Sequence, residues 1–222
     1  MTAARPTPFD PGNATMIRRG IAGLLLALVA GWTAPASALS CFNPGVAPST
    51  PDADFEADAD GTARHLATGL VWMRCAIGQT WTGTGCSGQA MSFPQWGAAL
   101  RTVRDINSGA SDADNDGAAG FAGQSDWRMP NIKELVSIHE ACRRAPAFND
   151  LVFPNAPAGN VHWSSTTVAN SPTVAWYMDS ADGVVSFTFK SDVLPRVMRL
   201  VRAGGVGGYR LTGRIFADGF EP

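Results

Sequence analysis

The chain has 222 residues, with 17 basic and 19 acidic side chains, 45% hydrophobic residues and four cysteines. That is enough for one well-packed domain, and the near balance of charge argues against a general nucleic-acid binder. Residues 1–38 carry Arg5, Arg18, Arg19 and Asp10, so the remainder holds 14 basic and 18 acidic residues and is mildly acidic.

Residues 16–38 read as a secretory signal. Arg18 and Arg19 follow Met16, residues 21–32 are an apolar run, and Ala36-Ser37-Ala38 offers a small-residue cleavage site. The run is too short to span a bilayer comfortably, so no integral membrane segment is expected after cleavage. The mature chain is expected to be secreted, periplasmic or displayed at the cell surface. Export makes disulfides the expected state of the cysteines. Cys75 and Cys86 bracket a Gly- and Thr-rich segment able to turn back on itself, which pairs them and leaves Cys41 for Cys142.

Residues 39–54, rich in Pro, Gly, Ser and Asp, read as an irregular leading segment. Residues 62–74 suggest two short strands hinged at Thr68-Gly69. Ser92 with Gln95 has the form of a capping box, and Phe93, Trp96, Leu100 and Val103 recur at helical spacing, which predicts a helix from Ser92 to about Asn107. In residues 111–123, Asp112, Asp114 and Asp116 alternate before Gly117, the rhythm of the first half of an EF-hand loop. Calcium is the candidate ion; a solvated turn is the competing reading, because Gly123 stands where an EF-hand supplies its bidentate Glu.

Residues 131–142 form the second predicted helix, opened by a capping box between Asn131 and Glu134. Ile132, Leu135, Val136 and His139, with Ile138 and Cys142, make its apolar stripe, and Lys133, Ser137 and Glu140 are expected to face water. His139-Glu140 does not open a zinc-protease motif, because position 143 is Arg. Residues 162–167 read as a strand. Residues 174–190 read as a hairpin turning at Asp182-Gly183, with Val185, Phe187 and Phe189 alternating against Val184, Ser186 and Thr188 in the pattern of a half-buried strand. A last strand is expected over 196–202, then a Gly-rich linker and tail over 204–222.

Several short motifs occur in an informative order: Thr68-Gly69-Leu70-Val71-Trp72, Trp81 between Cys75 and Cys86, and Asp126-Trp127-Arg128-Met129-Pro130-Asn131 leading into Lys133-Glu134-Leu135. Phe153-Pro154, Trp163-Ser164-Ser165, Ala175-Trp176-Tyr177 and Arg199-Leu200-Val201-Arg202 follow. From about residue 55 to 203 the chain resembles the Lcl C-terminal domain family, a bacterial domain found at the tip of a collagen-like adhesin. The resemblance implies an α+β, C-type-lectin-like fold: two helices packed on small antiparallel sheets, stabilised by disulfides. In the adhesin the domain is associated with trimerisation and with sulfated glycans. Here no collagen-like Gly-x-y run precedes it.

The expected function is therefore non-catalytic recognition of carbohydrate or another anionic or polar surface ligand. Trp163 and Trp176 are stacking candidates, and Ser164, Ser165 and Asp179 are polar contacts. Lys190, Arg196, Arg199 and Arg202 form a basic set for an anionic ligand. Burial in the core competes with ligand binding for both tryptophans. The alternatives are a protein-binding module of the cell envelope and a relative of the formylglycine-generating oxidoreductases, which need a reactive cysteine pair.

Overall fold

The computed structural model describes residues 41–114 and 116–204. The predicted leader (1–38) and all of the predicted tail beyond Gly204 lie outside the described residues. After a 3-10 turn, strands β1 (Phe55–Ala57), β2 (Thr62–His65) and β3 (Leu70–Met73) form an antiparallel meander. The chain turns from β2 into β3 at Gly69, whose φ of +69° and N–H bond to the His65 carbonyl suit a residue without a Cβ. β4 (Thr80–Trp81) and β5 (Cys86–Ser87) form a small ribbon. Helix α1 (Trp96–Asn107) and helix α2 (Ile132–Ser137) follow. A second sheet contains β6 (Val161–Val168), β7 (Ser171–Asp179), β8 (Val185–Phe189) and β9 (Arg196–Val197) in the order β8-β7-β6-β9. β10 (Val201–Ala203) returns to pair with β3 in the first sheet.

The α+β class, the two helices and both disulfides, Cys41–Cys142 and Cys75–Cys86, agree with the sequence reading. The sheets are not wholly antiparallel, because β6 and β9 run parallel. The predicted strand over 196–202 is divided into β9 and β10, one in each sheet. This divided segment and β3 separate two cores by simple alternation. Val71, Met73, Met198 and Leu200 join Trp127, Trp163 and the α1 residues Val103 and Ile106. Trp72 and Val201 point the other way, to Phe55, Leu135, Ile138, Phe148, Phe153 and Met178.

Both helices are shorter than predicted. α1 starts four residues after Ser92, with Gln95 at the N-cap and no side-chain cap. Tertiary pairing displaces the capping box: Phe93 N–H donates to the Arg196 carbonyl at 2.6 Å, and the Phe93 carbonyl accepts from the Trp163 indole at 2.9 Å. Residues 91–93 are thereby held against the body, and the Lys190 carbonyl accepts the Trp96 N–H that opens the helix. In α2 the predicted box forms. Asn131 Oδ1 accepts from Glu134 N–H at 2.9 Å, and Glu134 Oε2 accepts from Asn131 N–H at 2.8 Å. This helix ends at Ser137 instead of Cys142.

Glu140 explains the early stop. Predicted to face water, it is 0% exposed. Its carboxylate accepts the backbone N–H groups of Ser49, Thr50 and Cys142 at 2.8–2.9 Å and the Thr50 hydroxyl at 3.0 Å. The segment read as irregular is thus clamped to the body by Glu140, by the Cys41–Cys142 disulfide and by a bond from the Asn149 amide to the Thr50 carbonyl. Val136, on the predicted apolar stripe, is exposed.

Burial resists ionisation of Glu140, but the N–H groups of Cys142, Ser49 and Thr50 and the Thr50 hydroxyl outweigh it and hold the carboxyl below its ordinary 4.5. Its stabilisation is therefore complete above pH 4.5 and is lost as the pH falls through the lowered folded value. Glu140→Ala strands several buried donors and is expected to cost about 3 kcal/mol in denaturant unfolding at neutral pH. It is also expected to flatten the acid limb of the stability profile seen in the unsubstituted protein.

Candidate functional site

Of the nine residues expected to bind a ligand, Trp163, Ser164, Arg196 and Arg199 are buried and the other five are half-buried. Trp163 is 0% exposed, so it has no ring face to offer. Ser164 is buried and donates its hydroxyl to the Trp176 carbonyl at 2.8 Å. Asp179 shapes the hairpin turn, its Oδ1 accepting from Ala181 N–H at 2.8 Å.

The basic set does not form a patch. Arg196 is 3% exposed, pairs with Asp192 at 2.8 Å and lies 4.5 Å from the Trp163 ring centroid. The Thr188 hydroxyl and the Arg196 guanidinium hold the Asp192 carboxyl down to about 2. Arg199 is 0% exposed and donates to the carbonyls of Met73 and Arg74. Arg202 grips Asp126 at 2.6 Å, and Lys190 donates to Thr167 and to the Pro172 carbonyl, with its ammonium 4.2 Å from the Trp96 centroid. The expected set is dispersed because the 196–202 strand is split between two sheets: Arg196 and Arg202 pair with acids, Lys190 with oxygen acceptors, and buried Arg199 donates one nitrogen to backbone carbonyls.

Two surface features remain. The first is a groove of about 760 Å³ between α1 and the start of α2, lined by Leu100, Arg104, Asn107, Arg128, Asn131 and the predicted contact Ser165, among others. Its arginines are matched by acids. Both Nη atoms of Arg128 lie 2.7 Å from Glu134 oxygens, and Arg104 pairs with Asp105 at 3.0 Å. Both amide atoms of Asn107 are engaged by the Trp127 backbone.

The second feature is the outer face of the β7–β8 hairpin. Register places Trp176 opposite Phe187 and Val174 opposite Phe189, so these four side chains share one face. Phe187 and Phe189 are 55% and 63% exposed, Trp176 is half-buried, and the Trp176 and Phe187 rings meet edge to face with centroids 5.3 Å apart. On the same face Met178, nearer the centre of the sheet, is fully buried against Leu135 and Ile138. The six-residue α2 covers that part and leaves the outer strand open. Gly183 fixes the hairpin tip against the body: a Cβ there would lie 2.0 Å from His139 Nε2. Hydrophobicity assigns Phe187 and Phe189 to the interior, so the sequence reading missed them. Only the register and the length of α2 show that they face out.

Asp112, Asp114 and Asp116 do converge, with ligand oxygens within 4.8 Å of one another. The loop's own amides also serve them: Asp112 accepts from the N–H of Asp114 and Gly117, Asp114 from Ala122 and Asp116 from Ala118. Burial is the leading cause of the rise in the Asp114 pKa, and the neighbouring carboxylates add to it.

All four cysteines are in disulfides, and no helix among the described residues is long and apolar enough to cross a membrane. These features define a disulfide-stapled α+β domain with an open groove and an aromatic outer face. The sequence profile of the Lcl C-terminal domain matches residues 61–202, and the chain belongs to that family, whose domain is associated with a bacterial adhesin. No curated protein matches the chain.

The contrast between the two aromatic groups can be measured. Trp163→Ala is expected to lower unfolding free energy by about 3–5 kcal/mol. Phe187→Ser and Phe189→Ser are each expected to change it by less than about 0.5 kcal/mol. Urea titrations of the three variants check this.

Proposed function

We propose that the chain is a non-catalytic, exported recognition domain with a C-type-lectin-like body, and that it binds carbohydrate on the outer face of the β7–β8 hairpin. The observation that carries the reading is the row of half-buried Trp176 with exposed Phe187 and Phe189 on one sheet face. The apolar C–H face of a sugar ring packs on such rings, and a paired strand holds them in place at little entropic cost. Two disulfides suit an oxidising compartment and support export. The pairing of every cysteine removes the reactive thiol that the oxidoreductase alternative needs.

A neutral or weakly charged glycan is favoured over a polyanion. In the 190–202 segment Arg196 and Arg202 are paired with acids and Arg199 is buried, and the groove's arginines are paired with acids. Calcium remains a second proposal for the Asp112–Asp116 loop, supported by the convergence of three carboxylates. Calorimetric titration with calcium is expected to give a saturable heat that Asp114→Asn removes; absence of heat in the unsubstituted protein would sink it.

On a glycan array the protein is expected to retain a subset of neutral glycans with little dependence on salt. Trp176→Ala and Phe187→Ala should each weaken retention about tenfold, from the loss of about 1.4 kcal/mol of stacking, while the proteins remain folded by circular dichroism at the assay temperature. Binding that vanishes at moderate salt, or that survives both substitutions, overturns the assignment to this face. Capture of a protein instead of any glycan would favour the protein-binding alternative.

A further inference from the structure

The second core encloses a charge that its own side chains do not neutralise. Arg199 is 0% exposed. Its Nη1 is used, donating to the Met73 carbonyl at 2.8 Å and to the Arg74 carbonyl. Its Nε and Nη2 are also buried, and neither has a hydrogen-bond partner. These two nitrogens form one edge of the guanidinium, the fork that takes a planar or spherical anion side-on. Arg202, three residues on, shows the same fork in use: its Nε and Nη2 reach the two Asp126 oxygens at 2.6 and 3.3 Å.

No acid among the described residues forms an ion pair with Arg199. The charged neighbour that acts on it is Arg74, a second cation, which adds to the effect of burial in pushing the Arg199 pKa down to about 9. The rings of Phe153 and Phe148, with centroids 4.7 and 5.9 Å from the guanidinium carbon, return part of the lost solvation through their faces. They supply no negative charge. His162, whose ring lies 5.3 Å from that of Phe148, is likewise 0% exposed. Burial first, then the nearby Arg199 charge, push it down to about 3 against a weak opposing effect of the Asn160 backbone, so the imidazole is neutral at physiological pH and adds no charge. A guanidinium taken out of water with Nε and Nη2 both unmet is costly unless something anionic meets them.

We infer that the buried, unpartnered Nε–Nη2 fork of Arg199 binds a small inorganic anion of the halide class. The surroundings set the size. Phe148, Phe153 and His162 are each 0% exposed, which leaves an organic carboxylate no open approach. A monatomic ion needs only the two donors of the fork. The inference is independent of the carbohydrate reading, since Arg199 and the Trp176–Phe187 face belong to different surroundings.

The decisive experiment is a crystal grown with bromide in place of chloride and measured at the bromine edge. An anomalous peak in contact with both Arg199 Nε and Nη2 is the expected result. Its absence, with water or a protein oxygen at the fork, overturns the inference. In solution, melting temperature at constant ionic strength should rise and saturate as chloride or bromide replaces gluconate, an anion too large for the site. Arg199→Met, which keeps the volume and removes the charge, should abolish that dependence. Should this variant fail to fold, the bromide crystal of the unsubstituted protein still decides.

Discussion

The β6 bulge between Trp163 and Thr167 is the constraint on which both surface features depend. Over Ser164, Ser165 and Thr166 the strand leaves its ladder and serves the starts of both helices. The Ser164 carbonyl accepts the Trp96 indole N–H at 2.7 Å, the Ser165 N–H donates to the Pro130 carbonyl at 2.8 Å, and the Thr166 hydroxyl accepts the Ile132 N–H at 2.9 Å. The bulge fixes the starts of both helices relative to the sheet, and so sets the width of the groove and how far α2 reaches across the hairpin.

The charges of this fold are mostly structural. Arg128 closes on Glu134, which is already half of a capping box, so one carboxylate organises a helix start and the preceding strand-like segment. Arg196 stands on Trp163 with Asp192 beside it, and Glu140 gathers the leading segment. Buried polar groups of this kind fix geometry more than they add stability, since desolvation offsets much of each attraction. The consequence for recognition is that little charge is left for a ligand, while apolar aromatic surface is left open. That inverts what composition alone suggests for the 190–202 segment.

The family motifs illustrate the same division of labour. Trp72, Trp127 and Trp163 anchor three of them, and each is at most 2% exposed. Trp127 donates its indole N–H to the Phe121 carbonyl, and Trp163 donates to the Phe93 carbonyl. A motif made of core tryptophans identifies the fold but says little about what the surface binds. The exposed aromatic residues Phe187 and Phe189 lie outside the motifs.

What the sequence determined alone were features whose physics is local. The Asn131–Glu134 capping box needs only three residues of spacing, the turn at Gly69 only a residue tolerant of positive φ, and the Cys75–Cys86 pairing only a short flexible loop. The tertiary structure decided whatever depended on a distant partner. Ser92 lost its capping role to a backbone bond with Arg196, and Glu140 left the water for Ser49 and Thr50, some ninety positions away. Phe187 and Phe189 face outward because a helix elsewhere in the chain stops one turn after it starts to cover their sheet. Alternation along a strand shows that two faces differ, and only the packing of other elements settles which of them meets solvent.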